Sequence, residues 1–169
     1  MLLISGDLRA LLSSNLQKIC REIDTVTVVG SIHPMRLFTI DIQTEDMEVT
    51  DDPLANVSIK EKKAIRDEMR KRLHEKLYKG EITTWVEFNN DRDFLELRKN
   101  VDAKFEFQFA KAYRQYIDGD WKAAGAALKK LVEWRPKDGP SVNLDKIVNQ
   151  RQKGVKPEGW PGYRELTSK

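Results

Sequence analysis

The segment from Arg21 to Asp41 has the sequence REIDTVTVVGSIHPMRLFTID and decides the fold of the first part of the chain. Every residue at its centre, from Thr25 to Val29, is β-branched, and such side chains favour strands. Gly30 and the serine after it interrupt this run. A second alternating run extends from Met35 to Ile42. The segment therefore predicts two β-strands joined by a tight turn.

The composition is that of a highly charged, helix-rich protein. The chain has 169 residues, of which 40% are hydrophobic and 34% charged, with a mean hydropathy of −0.61. This length suits one domain, or a small domain with appendages. No run approaches the roughly 18 apolar residues that span a bilayer, and the first residues do not resemble a signal peptide. We therefore expect an intracellular, cytoplasmic protein without a transmembrane segment.

Cysteine and histidine are too few and too dispersed for a structural metal site. Cys20 is the only cysteine, which excludes an intrachain disulfide and fits a reducing compartment. His33 and His74 are far apart in the sequence and have no zinc-site spacing. We expect no metal ligand among them.

The net charge of +3 conceals two blocks of opposite sign. Residues 41–56 contain six acidic residues and no basic residue, whereas residues 60–79 contain nine basic and four acidic residues. Such blocks can attract each other within one chain, so the small overall excess is weak evidence for nucleic acid. We expect no nucleic-acid partner.

The first unit, residues 1–43, is predicted to contain a helix before the two strands. Leucine and isoleucine recur at helical spacing from about Leu8 to Cys20, and Asp7 or Ser5 is placed to cap that helix. Ile23 and Asp24 are predicted to lead out of it. Residues 44–57 are acidic, lack periodicity and are predicted to form a linker.

A basic amphipathic helix is predicted over residues 58–80. Asn56 or Ser58 would cap its start, and Gly80 would end it near Tyr78. Apolar residues recur at every fourth position and form one narrow stripe: Ile65, Met69, Leu73 and Leu77. Favourable i,i+4 charge pairs are Asp67 with Lys71, Glu68 with Arg72 and Glu75 with Lys79. The pattern predicts a solvated helix with one docking seam.

Residues 81–152 are predicted to form a helical hairpin module, followed by an extended tail, residues 153–169. Helices from about Ala103 to Asp118 and from Lys122 to Trp134 flank a Gly-Asp-Trp turn, as in a single tetratricopeptide unit. Ser141 is predicted to cap a last helix. Trp85 and Trp160 lie in loop-like segments and are candidates for contact with another protein, although packing of the tail on its own chain is the alternative.

The order of these motifs resembles a class III nucleotidyl cyclase domain and its C-terminal extension. In that family the pattern R-x-I-D-x-V-x-V-K-G-x-x-x-P-x-x-L-Y/F-T closes the catalytic sheet, which matches Arg21 to Thr39. The extension of protist and bacterial cyclases has three further motifs, which match Tyr116 to Trp121, Pro136 to Ser141 and Pro157 to Trp160. The resemblance implies an α+β, mostly helical fold: a short helix and a two-stranded cyclase-like remnant, followed by a helical hairpin module.

The same resemblance argues against catalysis by this chain. In the family, two aspartates on early strands hold Mg²⁺ or Mn²⁺ on ATP or GTP, and only 20 residues precede Arg21 here. Val29 also stands where the family often has a phosphate-binding lysine. We therefore expect no catalytic, cofactor-binding or metal-binding residue, and we interpret Asp24 and Asp41 as structural carboxylates. Mg²⁺, Mn²⁺ and a nucleotide would enter only with a separate catalytic portion.

The leading functional hypothesis is a non-catalytic C-terminal segment that acts as a structural or docking module in a larger assembly. Its partner would be another protein, which could be its own missing cyclase domain. The resemblance also adds a cilium or flagellum to the expected locations. The partner-binding candidates are Lys63, Arg66, Arg70, Trp85 and Trp160. One alternative is a part of an active adenylate or guanylate cyclase. A second is binding of calmodulin or an acidic partner through helix 59–79.

Overall fold

The fold is α+β and mostly helical, as predicted. A computed structural model of the chain describes residues 2–43 and 54–166. The chain divides into two compact units, one formed by Met1–Asp41 together with Asp102–Lys169, the other by Ile42–Val101. Within the described ranges, no helix has both the length and the apolar character that a membrane crossing requires.

The start of the chain forms two short helices where one was predicted. Strand β1 (Ile4–Ser5) is followed by α1 (Gly6–Leu11) and α2 (Ser14–Lys18). Leu12 is extended, and the hydroxyl of Ser13 accepts a hydrogen bond from the Leu16 amide, so a new helix begins there. A serine that caps through its own side chain competes with continuation of the preceding helix. The first helix is capped by Ser5, not by Asp7.

Strand β2 (Cys20–Val28) begins five residues earlier than the β-branched run predicted. Ile23 and Asp24, expected to lead out of a helix, lie buried within it. A register shift between Glu22 and Asp24 interrupts its antiparallel pairing with β3 (Met35–Ile40). An irregular strand with buried polar residues gives no clean period of two, which explains why its first half was missed.

The sheet has four strands, two more than predicted, in the order β1-β3-β2-β4. Strand β1 pairs with Leu37 and Phe38, and the tail contributes β4 (Arg164–Leu166), which runs parallel to β2. Both added strands lie at the edges and have two or three residues, too few to show a periodic pattern. The chain itself thus covers the outer edges of the two predicted strands.

The described part of the unit Ile42–Val101 contains three helices: α3 (Ile59–Tyr78), α4 (Thr84–Asn90) and α5 (Arg92–Arg98). The start of α3 is capped by Ser58 and not by Asn56, and Gly80 follows its end with a φ of 69°. Helix α4 corrects the prediction of a loop around Trp85, since the Thr83 hydroxyl accepts a hydrogen bond from the Val86 amide. Of the predicted acidic linker, residues 44–53 lie outside the described residues.

The remaining helices are α6 (Ala103–Ile117), α7 (Trp121–Trp134) and α8 (Gly139–Asp145), which continues into a π-helical turn, Lys146–Arg151. Helices α6 and α7 form the predicted hairpin. The cap of α8 is Asp138, because its carboxylate accepts hydrogen bonds from the amide and the hydroxyl of Ser141. Ser141, the predicted cap, is buried inside the helix.

The main hydrophobic core of the first unit lies among α6, α7, α8 and the π-helical turn. Its fully buried members are dominated by aromatic and branched side chains: Phe105, Phe109, Ala112, Tyr116, Trp121, Ala124, Leu128, Leu131, Leu144 and Val148. Ile23 of β2 belongs to the same cluster. The strands and the helical module therefore share one core.

Gly125, in the middle of α7, marks the closest approach of two core helices. A Cβ atom there would lie 2.3 Å from Oδ1 of Asn149 and 3.3 Å from Cγ1 of Val148. The Asn149 amide also donates to the Gly125 carbonyl at 2.9 Å. We expect Gly125→Ala to reduce the free energy of unfolding by about 1–3 kcal/mol, because overpacking outweighs the better helix propensity of alanine. Urea unfolding followed by circular dichroism measures this loss.

Gly139→Ala is the matched control, since a Cβ atom there meets nothing within 4 Å. Shortening the opposing side chain in the double variant Gly125→Ala, Asn149→Ser should recover part of the loss. Equal stability of the two glycine variants would contradict the close packing described.

Candidate functional site

Helix α3 presents its basic residues to solvent. Lys63, Arg66 and Arg70 are all exposed. Arg70 lies 3.6 Å from the carboxylate of Asp67, one turn away, in a pair that is itself exposed. Exposed pairs of this kind contribute little to stability. The three predicted partner-binding cations are therefore free to contact another molecule.

The ends and charge pairs of α3 make it a well-defined helix. Ser58 and Glu61 form a reciprocal capping box, and hydrogen bonds from Ser58 lower the pKa of the Glu61 carboxyl. Arg72 and Glu68 form the predicted pair at 3.0 Å, whereas Asp67 contacts Arg70 and not the predicted Lys71. Caps and i,i+4 pairs favour a helix without tertiary support.

The apolar stripe of α3 is only partly covered within the described residues, since Leu73 and Leu77 are half-buried. Met69 is 66% exposed and Ile65 is 37% exposed, and no residue of the helix is buried. The same holds for the whole unit, since none of the described residues of Ile42–Val101 is buried. Its best internal contact is an edge-to-face pair of Phe88 and Phe94, with ring centroids 4.9 Å apart.

The two candidate tryptophans have different surroundings. Trp85 lies half-buried on α4, in a unit whose described residues include no buried side chain. Trp160 packs against the rings of Tyr116 and Trp121, with centroids 5.1 and 5.0 Å away. Its indole N–H donates to the carbonyl of Ile117 at 3.1 Å. The tail thus packs on its own chain, while contact of either tryptophan with a partner remains a prediction.

Arg21, the first residue of the family pattern, is the centre of a buried ion network. Its guanidinium contacts the carboxylate of Asp41 at 2.6 Å and that of Asp138 at 2.6 Å. It also lies over the Phe109 ring, 4.4 Å from the centroid. Asp138 caps α8 at the same time, so one carboxylate ties the strand segment to the helical module.

The contacts in this network set the protonation states of Asp138 and Arg21. Burial opposes ionisation of Asp138, but hydrogen bonds and charge from Arg21, with hydrogen bonds from Ser141, hold the pKa of that carboxyl below its usual value. Burial also works against the charged form of Arg21, yet its bonds to Asp138 and Asp41 raise its pKa. Both groups are ionised at neutral pH, which makes this a structural ion pair.

Asp24 is likewise engaged within the chain. Its carboxylate forms an ion pair with Arg164 of β4 and accepts a hydrogen bond from the Thr25 amide. Burial raises the pKa of Asp24 above its usual value, against the lowering effect of Arg164. Asp24 and Asp41 thus form ion pairs within the chain, with Arg164 and Arg21 respectively.

The turn between β2 and β3 contains Val29, Gly30 and His33. Val29 is 68% exposed, and Gly30 has a φ of 90°, which a glycine adopts readily. His33 lies exposed in the same turn, and His74 is exposed on α3. Over residues 2–43 and 54–166, no group of three or more histidine, cysteine or acidic side chains is placed to hold a metal ion.

The ion pair between Arg21 and Asp138 was not predicted from the sequence. Both residues lie in the motifs described above, but 117 positions separate them, and a sequence pattern carries no signal for such a pair.

No protein-family model matches the chain, and comparisons with curated proteins and with solved structures find no significant match either.

Proposed function

We propose that the chain is a non-catalytic docking module of a class III nucleotidyl-cyclase-like protein and acts within a larger assembly. One observation carries the docking role: the described part of Ile42–Val101 buries none of its side chains. Folding must offset a large loss of conformational entropy by removing apolar surface from water. This unit removes little by itself, so a partner surface supplies the missing burial.

The three helices differ in how much they depend on that partner. Helix α3 has 20 residues and a capping box, so it can form before binding. Helices α4 and α5 have only seven residues each, and isolated helices below about 12–15 residues are marginal in water. We infer that α3 makes first contact and that α4 and α5 become ordered against the partner.

The chemistry of α3 defines the partner surface. Its 20 residues include eight basic and four acidic side chains, a net charge of +4 with histidine neutral. A narrow apolar stripe lies among these charges. A basic helix with apolar anchors fits a groove with apolar walls and an acidic rim, so the proposed partner is an acidic protein surface.

The motif residues support the non-catalytic part of the proposal. Arg21, Asp24 and Asp138 are each held by ion pairs inside the chain. A carboxylate paired to a fixed guanidinium is poorly available to a metal ion or a substrate. These residues hold the helical module on the strands, which suits a scaffold that presents a docking unit.

Reversing the charge of three exposed cations tests the docking role. We expect the triple variant Lys63→Glu, Arg66→Glu, Arg70→Glu to lose at least about tenfold in the yield of native cross-links between α3 and neighbouring proteins, since acidic residues now repel an acidic surface. Cross-linking in the native cell followed by mass spectrometry measures this yield. Thermal unfolding should change little, because the substituted side chains are exposed. Circular dichroism measures the helicity of the variant, since glutamates at positions 63 and 70 place like charges one turn from Asp67.

The matched control reverses three exposed lysines of α7, Lys122, Lys129 and Lys130, at the same net charge. An equal loss in this control would attribute the effect to net charge and not to α3.

The purified wild-type chain should form no cyclic nucleotide from ATP or GTP with Mg²⁺ or Mn²⁺. Turnover by this chain alone would refute its non-catalytic assignment.

A further inference from the structure

A cleft of about 830 Å³ lies along α6 in the first unit. One side of helix α6 forms its wall through Ala110, Tyr113, Arg114 and Ile117, and β2 and β3 form the rest with Ile19 and Pro34 beside them. This volume falls in the range of small-molecule sites, roughly 300–1,000 Å³. The lining combines apolar residues such as Ile19, Pro34 and Ile117 with several charged side chains.

The polar groups along β2 and β3 satisfy one another. The hydroxyl of Tyr113 is 2.8 Å from the hydroxyl of Thr25 and 3.4 Å from the carboxylate of Glu22. Arg36 donates to Glu22 at 2.8 Å, so these two charges offset each other. Burial raises the pKa of the Tyr113 phenol, which stays neutral. This side of the cleft is therefore polar but carries no net charge.

Two basic side chains of the lining, unlike Arg36, form no ion pair with another described residue. They are Lys18 and Arg114, and both are exposed. Glu106 is the remaining acidic group of the lining, and it lies two turns before Arg114 on α6, roughly 12 Å away along the helix axis. The cleft lining thus combines the apolar side chains of Ile117 and Pro34 with the guanidinium of Arg114, which forms no ion pair with another described residue.

We propose that this cleft binds a small organic anion with an apolar body. Arg114 holds the anionic head group, because a guanidinium binds carboxylate and phosphate oxygens in a planar, bidentate manner. The apolar body lies against Ala110, Ile117 and Pro34. The ammonium group of Lys18, also in the lining, adds a second electrostatic attraction for the anion. This site belongs to the first unit and is independent of the docking role of α3.

Isothermal titration with two probes of equal chain length tests the requirement for negative charge. We expect decanoate to bind one site per chain at concentrations up to about 1 mM, and decyltrimethylammonium to bind at least about tenfold more weakly. Arg114→Gln should weaken decanoate about tenfold. Lys111→Gln, which removes the same charge from an exposed position of α6 outside the cleft lining, should leave the affinity unchanged.

A second variant tests the location. Ala110 is exposed in the wall, so Ala110→Phe should fill the cleft and abolish decanoate binding without loss of thermal stability. Ala126→Phe, at an exposed position of α7, is its control. The absence of decanoate binding, equal binding of both probes, or unchanged binding by Ala110→Phe would each overturn the proposal.

Discussion

Arg21→Met is expected to reduce the free energy of unfolding by about 3–5 kcal/mol, the loss typical of removing one partner from a buried ion pair. The variant keeps an apolar stem over Phe109 but leaves the carboxylates of Asp41 and Asp138 without their cation. The Asp138 side chain is only 12% exposed, so water can solvate its charge only poorly. Urea unfolding at neutral pH measures the effect.

Arg36→Met is the matched control, because the pair of Arg36 with Glu22 is largely exposed on the arginine side. We expect Arg36→Met to reduce the free energy of unfolding by at most about 1 kcal/mol.

The pH dependence of the free energy of unfolding gives a second readout. Since the Asp138 pKa is lowered in the folded state, the stability due to its ionisation is present above the usual value of 3.8 and is lost as pH falls through the folded-state pKa.

In Arg21→Met the part of this acid-dependent loss that is due to Asp138 should shrink, because without the guanidinium the folded-state pKa of Asp138 rises toward its usual value and ionisation no longer favours the folded state. A cost similar to that of Arg36→Met, with an unchanged acid profile, would show that the Arg21 network does not hold the two segments together.

Trp160→Ala is expected to cost about 2–4 kcal/mol, somewhat below the range for a fully buried tryptophan, since the ring is half-buried. The change removes two ring contacts and the hydrogen bond to the Ile117 carbonyl. It also frees the tail that carries β4 and Arg164. Urea unfolding measures the stability, and limited proteolysis should cleave the tail faster than in the wild-type chain.

Trp85→Ala serves as the comparison, because none of the described residues around Trp85 in the unit Ile42–Val101 is buried, and we expect a cost below about 1 kcal/mol. Both variants also address the predicted partner contacts. If Trp160→Ala leaves stability and proteolysis unchanged but abolishes cross-links to neighbouring proteins, then contact with a partner, and not packing on its own chain, is the main role of Trp160.

Local chemistry was sufficient to predict much of the helical structure. Helix α3 ends at Tyr78 as expected, since a serine cap, a four-residue apolar spacing and a terminal glycine all lie within its own sequence. The hairpin of α6 and α7 was predicted for the same reason. The exposure of Lys63, Arg66 and Arg70 also followed from the sequence, because a strongly charged helix with a narrow stripe has few residues to bury.

The cleft and the ion network could not be predicted in this way. Tyr113 and Arg114 were recognised only as helix residues, and nothing near them in the sequence indicates that Pro34 lies across a cleft. Short edge strands pose the same difficulty, since β4 has three residues and forms only where β2 supplies its hydrogen bonds. Their existence depends on contacts between distant parts of the chain.

The sequence by itself determined α3, the hairpin of α6 and α7, and the surface charge, because propensity, capping and periodicity act within a few neighbouring residues. Only the tertiary structure decided what the segment from Arg21 to Asp41 does. It places Arg21 against Asp138 and Asp24 against Arg164, and so joins residues more than a hundred positions apart. Such pairs form when the packed core brings the groups together and excludes water, which no local pattern specifies.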